Sequence, residues 1–533
     1  MTSGVRNPFP AGPLSRSSEE GTGLIFLVLI LGLLLRLYAG QQTGIINSDG
    51  AIYIHQARAI YYGLWDAVNS CTLTYPSITT LSIAAFYGIF GDWVTAAIAV
   101  SIFYGTLTFI ALFLLAARFF DRETSALITL IYAMTPVLVD GSIDITRDPA
   151  YWLFAVLGLY FLSCQKRHTA LFLLLSSLSL ILATWTRVES FVMIAVAVAY
   201  LFLDGRKKPV RRALIFLLPV MAVLAAAIGS QLWLHPGRIN WYRLAEIPDR
   251  AAIALSQYDA LRANLAELAS HPPLGIPAEF FDNVRDILWL VGFGVIFQNI
   301  LETYFYPFFL IHLMGLGNIR QKIGRDRRVL YFCLLVPAAF LLLYFYLFHR
   351  WEMENRWFAL ALFPSFIFLG YGLEKLIAFV QAKFNMRKGM ALALIGLLIL
   401  AFTLPKNMKA REEDKVIFKN IGEVIASLEG NAKKIEILTV GSSSRWISFY
   451  ANVRFPGAPC PDEYRDYANG IGKDYDQFLD RLKTGRIRYL VWEEKNWPAD
   501  RFDFLNSPHE RDFIRIGAWS HPDTGRIILF KLR

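Results

Sequence analysis

The chain has 533 residues, of which 55% are apolar and only 18% charged, with a formal net charge of +10. Soluble domains carry about 25% charged residues and single cores stop growing at roughly 250–300 residues, so an ordinary globular or disordered protein is excluded. The apolar excess lies in long blocks that end near residue 405, which reads as a polytopic membrane protein with a soluble tail.

A helix needs about 20 apolar residues to cross the roughly 30 Å hydrocarbon layer. The stretches 22–40, 92–116, 124–140, 149–164, 169–185, 187–203, 213–234, 287–314, 329–348, 357–376 and 389–404 predict about eleven spans. The first has no clear cleavage site and reads as a retained helix rather than a removed signal. After it, Asp49, Tyr53, Ala57, Ile60 and Leu64 share one helix face, which predicts a helix along the membrane surface. YPSITTLSIAAFYGIFGD (75–92) predicts a second interfacial helix. Beyond the spans, the tail predicts helices over 412–428 and 474–484 and strands over 434–441, 487–494, 513–520 and 526–532. The expected organisation is a tail (1–21), a membrane domain (22–405) and an α/β domain (406–533).

Orientation follows from where Lys and Arg collect. With the N-terminus cytoplasmic, every second loop is basic. These loops carry Arg118 and Arg122, Lys166 and Arg167, the cluster from Arg206 to Arg212, the cluster from Arg320 to Arg328, and Lys383, Arg387 and Lys388. Positive charge beside helix ends faces anionic lipid, so it calls for no nucleic acid. The tail then lies outside, in the periplasm if the membrane is a bacterial inner membrane. The four cysteines have no metal or redox spacing. Cys71 and Cys460 both fall outside, where a bond between them is open but not expected. GSSS (441–444) follows a strand but lacks the glycine spacing of a nucleotide loop.

Ionisable groups at membrane depth are costly and are functional candidates when they face a cavity. Four clusters fall on the outer side: Asp49 in SDGAIY (48–53), Arg147 and Asp148 in ITRDPAYW (145–152), Arg187 and Glu189 in WTRVES (185–190), and His349, Arg350, Glu352, Glu354 and Arg356 in HRWEMENRWF (349–358). A carboxylate can accept a nucleophile's proton while guanidinium groups hold phosphate oxygens as charge builds on them. That chemistry suits sugar transfer from a lipid phosphate. The plainer alternative is that charges at span ends mark the interface or pair locally, as Arg147 with Asp148 or Arg187 with Glu189.

In order and sidedness these residues resemble the GT-C class of polytopic glycosyltransferases, in the branch of protein O-mannosyltransferases and the lipid A aminoarabinose transferase. Asp49 and Tyr53 match the start of that branch's first outer loop, although Gly50 stands where a Glu is common. Tyr75-Pro76 and Ile89-Phe90-Gly91 match its next stretch, with Ser77 for a second proline. Asp148-Pro149, Thr186-Arg187 with Glu189, and Arg356-Trp357 with Pro364 match the later ones. The resemblance covers roughly 22–376. It implies an inverting transferase with a polyprenyl-phosphate sugar donor, a glycan, lipid or protein acceptor and no cofactor or divalent metal. It further implies Asp49 as general base and Asp148 as the group orienting acceptor or sugar. Arg187 and Arg356, with Arg350 and His349, would hold the donor phosphate. Tyr53, Arg58 and Glu189 are assigned to substrate positioning. The rival readings are a transporter or flippase for a lipid-linked glycan, and a non-catalytic subunit of envelope assembly. Transport sites usually lie at mid-membrane between repeated halves, and here the charges sit at one edge with no repeat.

Overall fold

The computed structural model describes residues 17–164, 169–234, 242–430, 433–441, 443–463, 471 and 474–533. Lys166, Arg167, Ser442 of the GSSS segment and the first sixteen residues lie outside the described residues. The chain is mostly helical as far as Asn407 and ends in a small mixed α/β unit. The architecture is the one read from the sequence.

Among the described residues, seven helices are long and apolar enough to cross a membrane. There are eight if Ala278–Asp286 and Leu288–Tyr304, bent by 70°, form one span. Sequence predicts eleven, and the difference has local causes. The stretch 124–140 breaks into Arg122–Met134 and Pro136–Gly141, because proline lacks an N–H and forces Thr135 out of the helical region. The stretch 287–314 breaks at Phe305, whose φ of 59° separates Leu288–Tyr304 from Tyr306–Leu316. The stretch 149–164 forms the short helix Asp148–Ser163. Arg187 has an extended backbone, which parts Thr169–Thr186 from the 3-10 turn Val188–Ser190 and the helix Phe191–Leu203.

Side chains from distant helices satisfy the carbonyls freed at the Thr135 break, as burial demands. Arg36 Nη1 donates to Ala133 O at 3.0 Å and Asn407 Nδ2 donates to Met134 O at 2.8 Å. Elsewhere small residues allow backbones to meet, the usual packing device of membrane helices. A Cβ on Gly372 would stand 1.9 Å from Ile311 O, and one on Gly315 would stand 1.8 Å from Phe368 O. The helices Tyr306–Leu316 and Ala359–Phe384 therefore pack in van der Waals contact along that seam.

The helix predicted after the first span runs Ser48–Tyr61, and residues 50–59 are all buried. It is covered on more than one side by Ile78–Phe90, by the start of Trp93–Ala116 and by the C-terminal unit. Its apolar face alone did not foretell that covering. Ile78–Phe90, in turn, is set by a reciprocal cap between Ser77 and Thr80 and ends at Gly91, φ 67°.

The C-terminal unit holds four strands, β1 (Ile437–Thr439), β2 (Tyr489–Glu493), β3 (Phe513–His521) and β4 (Gly525–Leu532), in the order β1-β2-β4-β3. β1 and β2 are parallel, and the other two pairings are antiparallel. Helices Val416–Glu429 and Tyr475–Thr484 match the predicted pair. A further helix, Ser444–Asn452, which the sequence does not predict, starts at the last serine of GSSS.

That extra helix and the segment after it clasp the first loop. Trp446 Nε1 donates to Ile46 O at 2.7 Å, and Ile46 N donates to Tyr450 Oη at 3.1 Å. Cys71 and Cys460 form a disulfide with Cα atoms 5.4 Å apart, correcting the expectation that they stay unpaired. The bond joins points 389 residues apart. In the chain-entropy account, closing so long a loop in the unfolded state stabilises by several kcal/mol. Changing both cysteines to serine is expected to cost about 2–5 kcal/mol, seen as a lower Tm in detergent. A reductant should then have no further effect, and an unchanged Tm would contradict the structural role.

Candidate functional site

Asp49 sits in the first turn of the Ser48–Tyr61 helix, where carboxylates are favoured by the exposed N–H groups. Asn47 fixes this turn against the loop before Asp148: its Oδ1 accepts from Ile145 N at 2.8 Å and its Nδ2 donates to Ile145 O at 3.4 Å. The same contact explains Gly50. A Cβ there would stand 2.9 Å from both Asn47 Oδ1 and Ile145 Cβ, so the close approach of the two segments leaves no room for a glutamate. Gly50→Glu is therefore expected to destabilise the fold by about 1–3 kcal/mol through overpacking rather than restore a second acid. A variant with the wild-type Tm would overturn this.

Asp148 begins the helix Asp148–Ser163, its side chain only 1% exposed. It pairs with Arg187 Nε, which the break after Thr186 turns toward it. Its Oδ2 accepts no hydrogen bond among the described residues and lies 4.0 Å from Arg356 Nε. Arg356, on the 3-10 turn Asn355–Phe358, bonds Asp49 Oδ2 at 3.1 Å through Nη2, and it also pairs with Glu354. Asp49, Asp148, Arg187 and Arg356, drawn from four separate segments, thus meet at one end of the bundle. Asp49 is the accessible member, with a side chain 39% exposed.

The remaining sequence candidates are placed as follows. Tyr53 lies one turn beyond Asp49, and Arg147 stands 5.9 Å above its ring while donating to Tyr75 Oη. Arg147 thus contacts aromatic rings, not the Asp148 suggested as its local partner. Glu189 is half-buried on the turn after Arg187. His349 packs beside Tyr346 in the last turn of Val329–Arg350, and Arg350 is exposed there, forming no ion pair among the described residues with Asp49 or Asp148. Arg58 is buried, and its donors are taken by the carbonyls of Gly457 (2.6 Å), Asn452 (3.1 Å) and Phe455. This corrects its assignment to substrate positioning, because a guanidinium saturated by three carbonyls is an anchor.

Three residues of the site were not singled out from sequence. Arg445 Nη1 reaches Asp49 Oδ1 at 3.1 Å from the Ser444–Asn452 helix. Asp462 holds Arg445 in a two-pronged pair of 2.6 and 2.8 Å. Asp144 is half-buried, and burial together with Asp140, Glu412 and Asp148 pushes its carboxyl up to about 7, against the pull of Arg356. The run Trp446, Ile447, Phe449 and Tyr450 after a serine-rich start was the available signal for the Arg445 helix. Among the described residues no group of three or more His, Cys, Asp or Glu is arranged to hold a metal ion.

Residues 75–233 match the family model described as dolichyl-phosphate-mannose-protein mannosyltransferase. No curated protein sequence matches the chain. Among solved structures, the oligosaccharyltransferase of Archaeoglobus fulgidus tethered with an acceptor peptide superposes with a TM-score of 0.58 at 11% identity, over 96% of this chain and 74% of that one. The same archaeal enzyme, AglB, in complex with an inhibitory peptide and a dolichol-phosphate gives 0.56 at 11% identity, over 96% and 74%. ArnT from Cupriavidus metallidurans bound to undecaprenyl phosphate gives 0.45 at 11% identity, over 96% and 98%. At such identities the likeness to the archaeal enzyme is one of fold. The chain is a multi-pass membrane protein with the GT-C glycosyltransferase fold, the class its sequence resembles.

Proposed function

We propose that the protein is an inverting glycosyltransferase that moves a sugar from a polyprenyl-phosphate carrier to a glycan, lipid or protein acceptor. The observation carrying the reading is an accessible carboxylate, Asp49, bound by Arg356 beside the buried Asp148–Arg187 pair. In the reaction, the acceptor oxygen attacks the anomeric carbon and its proton passes to Asp49. The bond from that carbon to the phosphate oxygen breaks, and the electron pair leaves on the lipid phosphate. Arg356 and Arg187 stabilise that charge where it develops. Asp148 keeps Arg187 in place, and its Oδ2, which accepts no hydrogen bond among the described residues, orients a substrate hydroxyl. The archaeal enzyme of like fold has been captured with a dolichol-phosphate, which supports a lipid-phosphate donor. This chemistry needs no cofactor or metal.

The proposed setting is an inner membrane, with the site on the non-cytoplasmic side. Several basic loops gather together away from Asp49: Lys388 pairs with Asp121 at 2.6 Å and Arg328 Nη2 donates to Arg118 O at 3.0 Å. That gathering supports a cytoplasmic face there.

The test supplies purified protein with a radiolabelled undecaprenyl-phosphate sugar and envelope extract as acceptor. Label should leave the carrier, with free undecaprenyl phosphate released in equal amount. Translocation across vesicles without any transfer would instead support the flippase reading. Arg356→Ala should weaken undecaprenyl-phosphate binding about 10- to 100-fold, the equivalent of one or two charge-assisted hydrogen bonds. Unchanged affinity would remove Arg356 from the phosphate site.

A further inference from the structure

The Asp49 carboxylate is gripped by guanidinium groups from two directions. Arg356 takes Oδ2 at 3.1 Å from the bundle side, and Arg445 takes Oδ1 at 3.1 Å from the C-terminal unit. We infer that Arg445 is a positioning residue of the site, aiming the Asp49 carboxylate, so that the C-terminal unit completes the active site and is no mere appendage. The inference rests on the reading of Asp49 as the base.

Four observations carry it. First, Arg445 is preorganised: its side chain is 13% exposed and Asp462, 3% exposed, holds it through both Nε and Nη2. A planar guanidinium held by two parallel bonds has one orientation, and that orientation points Nη1 at Asp49 and, at 3.4 Å, at Ser48 Oγ. Second, the helix bearing Arg445 is fixed to the chain just before Asp49 by the Trp446 and Tyr450 bonds to Ile46. Third, the segment leading to Asp462 is pinned two residues earlier by the Cys71–Cys460 bond, and before that by Arg58, whose guanidinium binds the carbonyls of Asn452, Phe455 and Gly457. His55 adds a contact of 3.1 Å to Pro459 O. The Ser48–Tyr61 helix, whose first turn holds Asp49, therefore also carries the two side chains, His55 and Arg58, that lock down the support of Arg445. Fourth, Asp49 gains specific direction from this grip. A carboxylate with one oxygen on Arg356 alone can rotate, whereas one with an arginine on each oxygen presents its remaining lone pairs along a fixed line.

A positioning role predicts a loss in the chemical step without a loss in donor binding. Arg445→Ala should lower kcat about 10- to 100-fold and leave undecaprenyl-phosphate affinity within twofold of wild type, since Arg187 and Arg356 are intact. Arg445→Lys should recover part of the loss, because it restores charge without the fork. Arg445→Ala placed on Asp49→Asn should lower kcat no further, since one residue acts through the other. An independent arm reads the contact without any activity. Carbodiimide labelling with glycine ethyl ester, followed by mass spectrometry, should mark Asp49 several-fold faster in Arg445→Ala than in wild type. Asp92, at the start of the Trp93–Ala116 helix, and Glu423, on the Val416–Glu429 helix, line one cleft between the membrane bundle and the C-terminal unit, so their labelling should stay constant while the unit remains docked. Unchanged Asp49 labelling, or wild-type kcat in an Arg445→Ala protein whose Asp49→Asn counterpart is inactive, would overturn the inference. If wild-type protein transfers no sugar while labelling changes as described, the proposed function falls and the positional coupling stands.

Discussion

Asp49→Asn is expected to reduce sugar transfer by a factor of about 10² to 10⁴, the usual contribution of a positioned general base. The substitution keeps the shape and removes the group that takes the acceptor's proton. Folding should survive it. Asp49 is 39% exposed, and both arginines on it keep another carboxylate, Glu354 for Arg356 and Asp462 for Arg445. Each of the two partly exposed ion pairs lost, with Arg356 and with Arg445, costs about 1 kcal/mol or less. The discriminating measurements are therefore kcat, Tm and undecaprenyl-phosphate affinity on the same preparation. A large fall in kcat with the other two unchanged fits a base, whereas full activity would remove Asp49 from that role.

The second large effect lies in the buried pair. Arg187→Leu leaves Asp148, 1% exposed, without its main counter-ion, and breaking a buried pair from one side typically costs 3–5 kcal/mol. Arg356, 4.0 Å away, compensates only in part. The expected result is a Tm well below wild type together with weakened donor binding. The double variant Arg187→Leu/Asp148→Asn should regain most of the stability, because no uncompensated charge remains, and should stay inactive. A double variant as unstable as the single one would show that packing, not charge, sets the cost. Recovery of activity in it would remove both residues from the reaction.

Much of this site was legible as scarcity. In a chain with so few charges, those at span ends stand out, and Asp49, Asp148, Arg187 and Arg356 were found that way before any geometry was known. Position along the chain does not reveal what covers a residue: Arg58, assigned to substrate positioning, is covered by the turn at 452–457, almost 400 residues away in sequence, and Arg350 forms no ion pair with Asp49 or Asp148 among the described residues. The missed helix Ser444–Asn452 shows the converse. Its short apolar run follows a serine-rich segment, and its partner, Ile46, lies in the first loop.

Hydrophobic length and the placement of Lys and Arg are local properties, and they were sufficient for the membrane class, the basic loops and most elements of the C-terminal unit. The proline-driven break at Thr135 was legible in principle but needed neighbouring helices to supply partners for the freed carbonyls. The disulfide between Cys71 and Cys460, the crowding at Gly50 by Asn47 and Ile145 and the grip of Arg445 on Asp49 were decided only in the tertiary structure. Each depends on segments far apart in sequence coming within bonding distance, and no spacing along one chain encodes that distance.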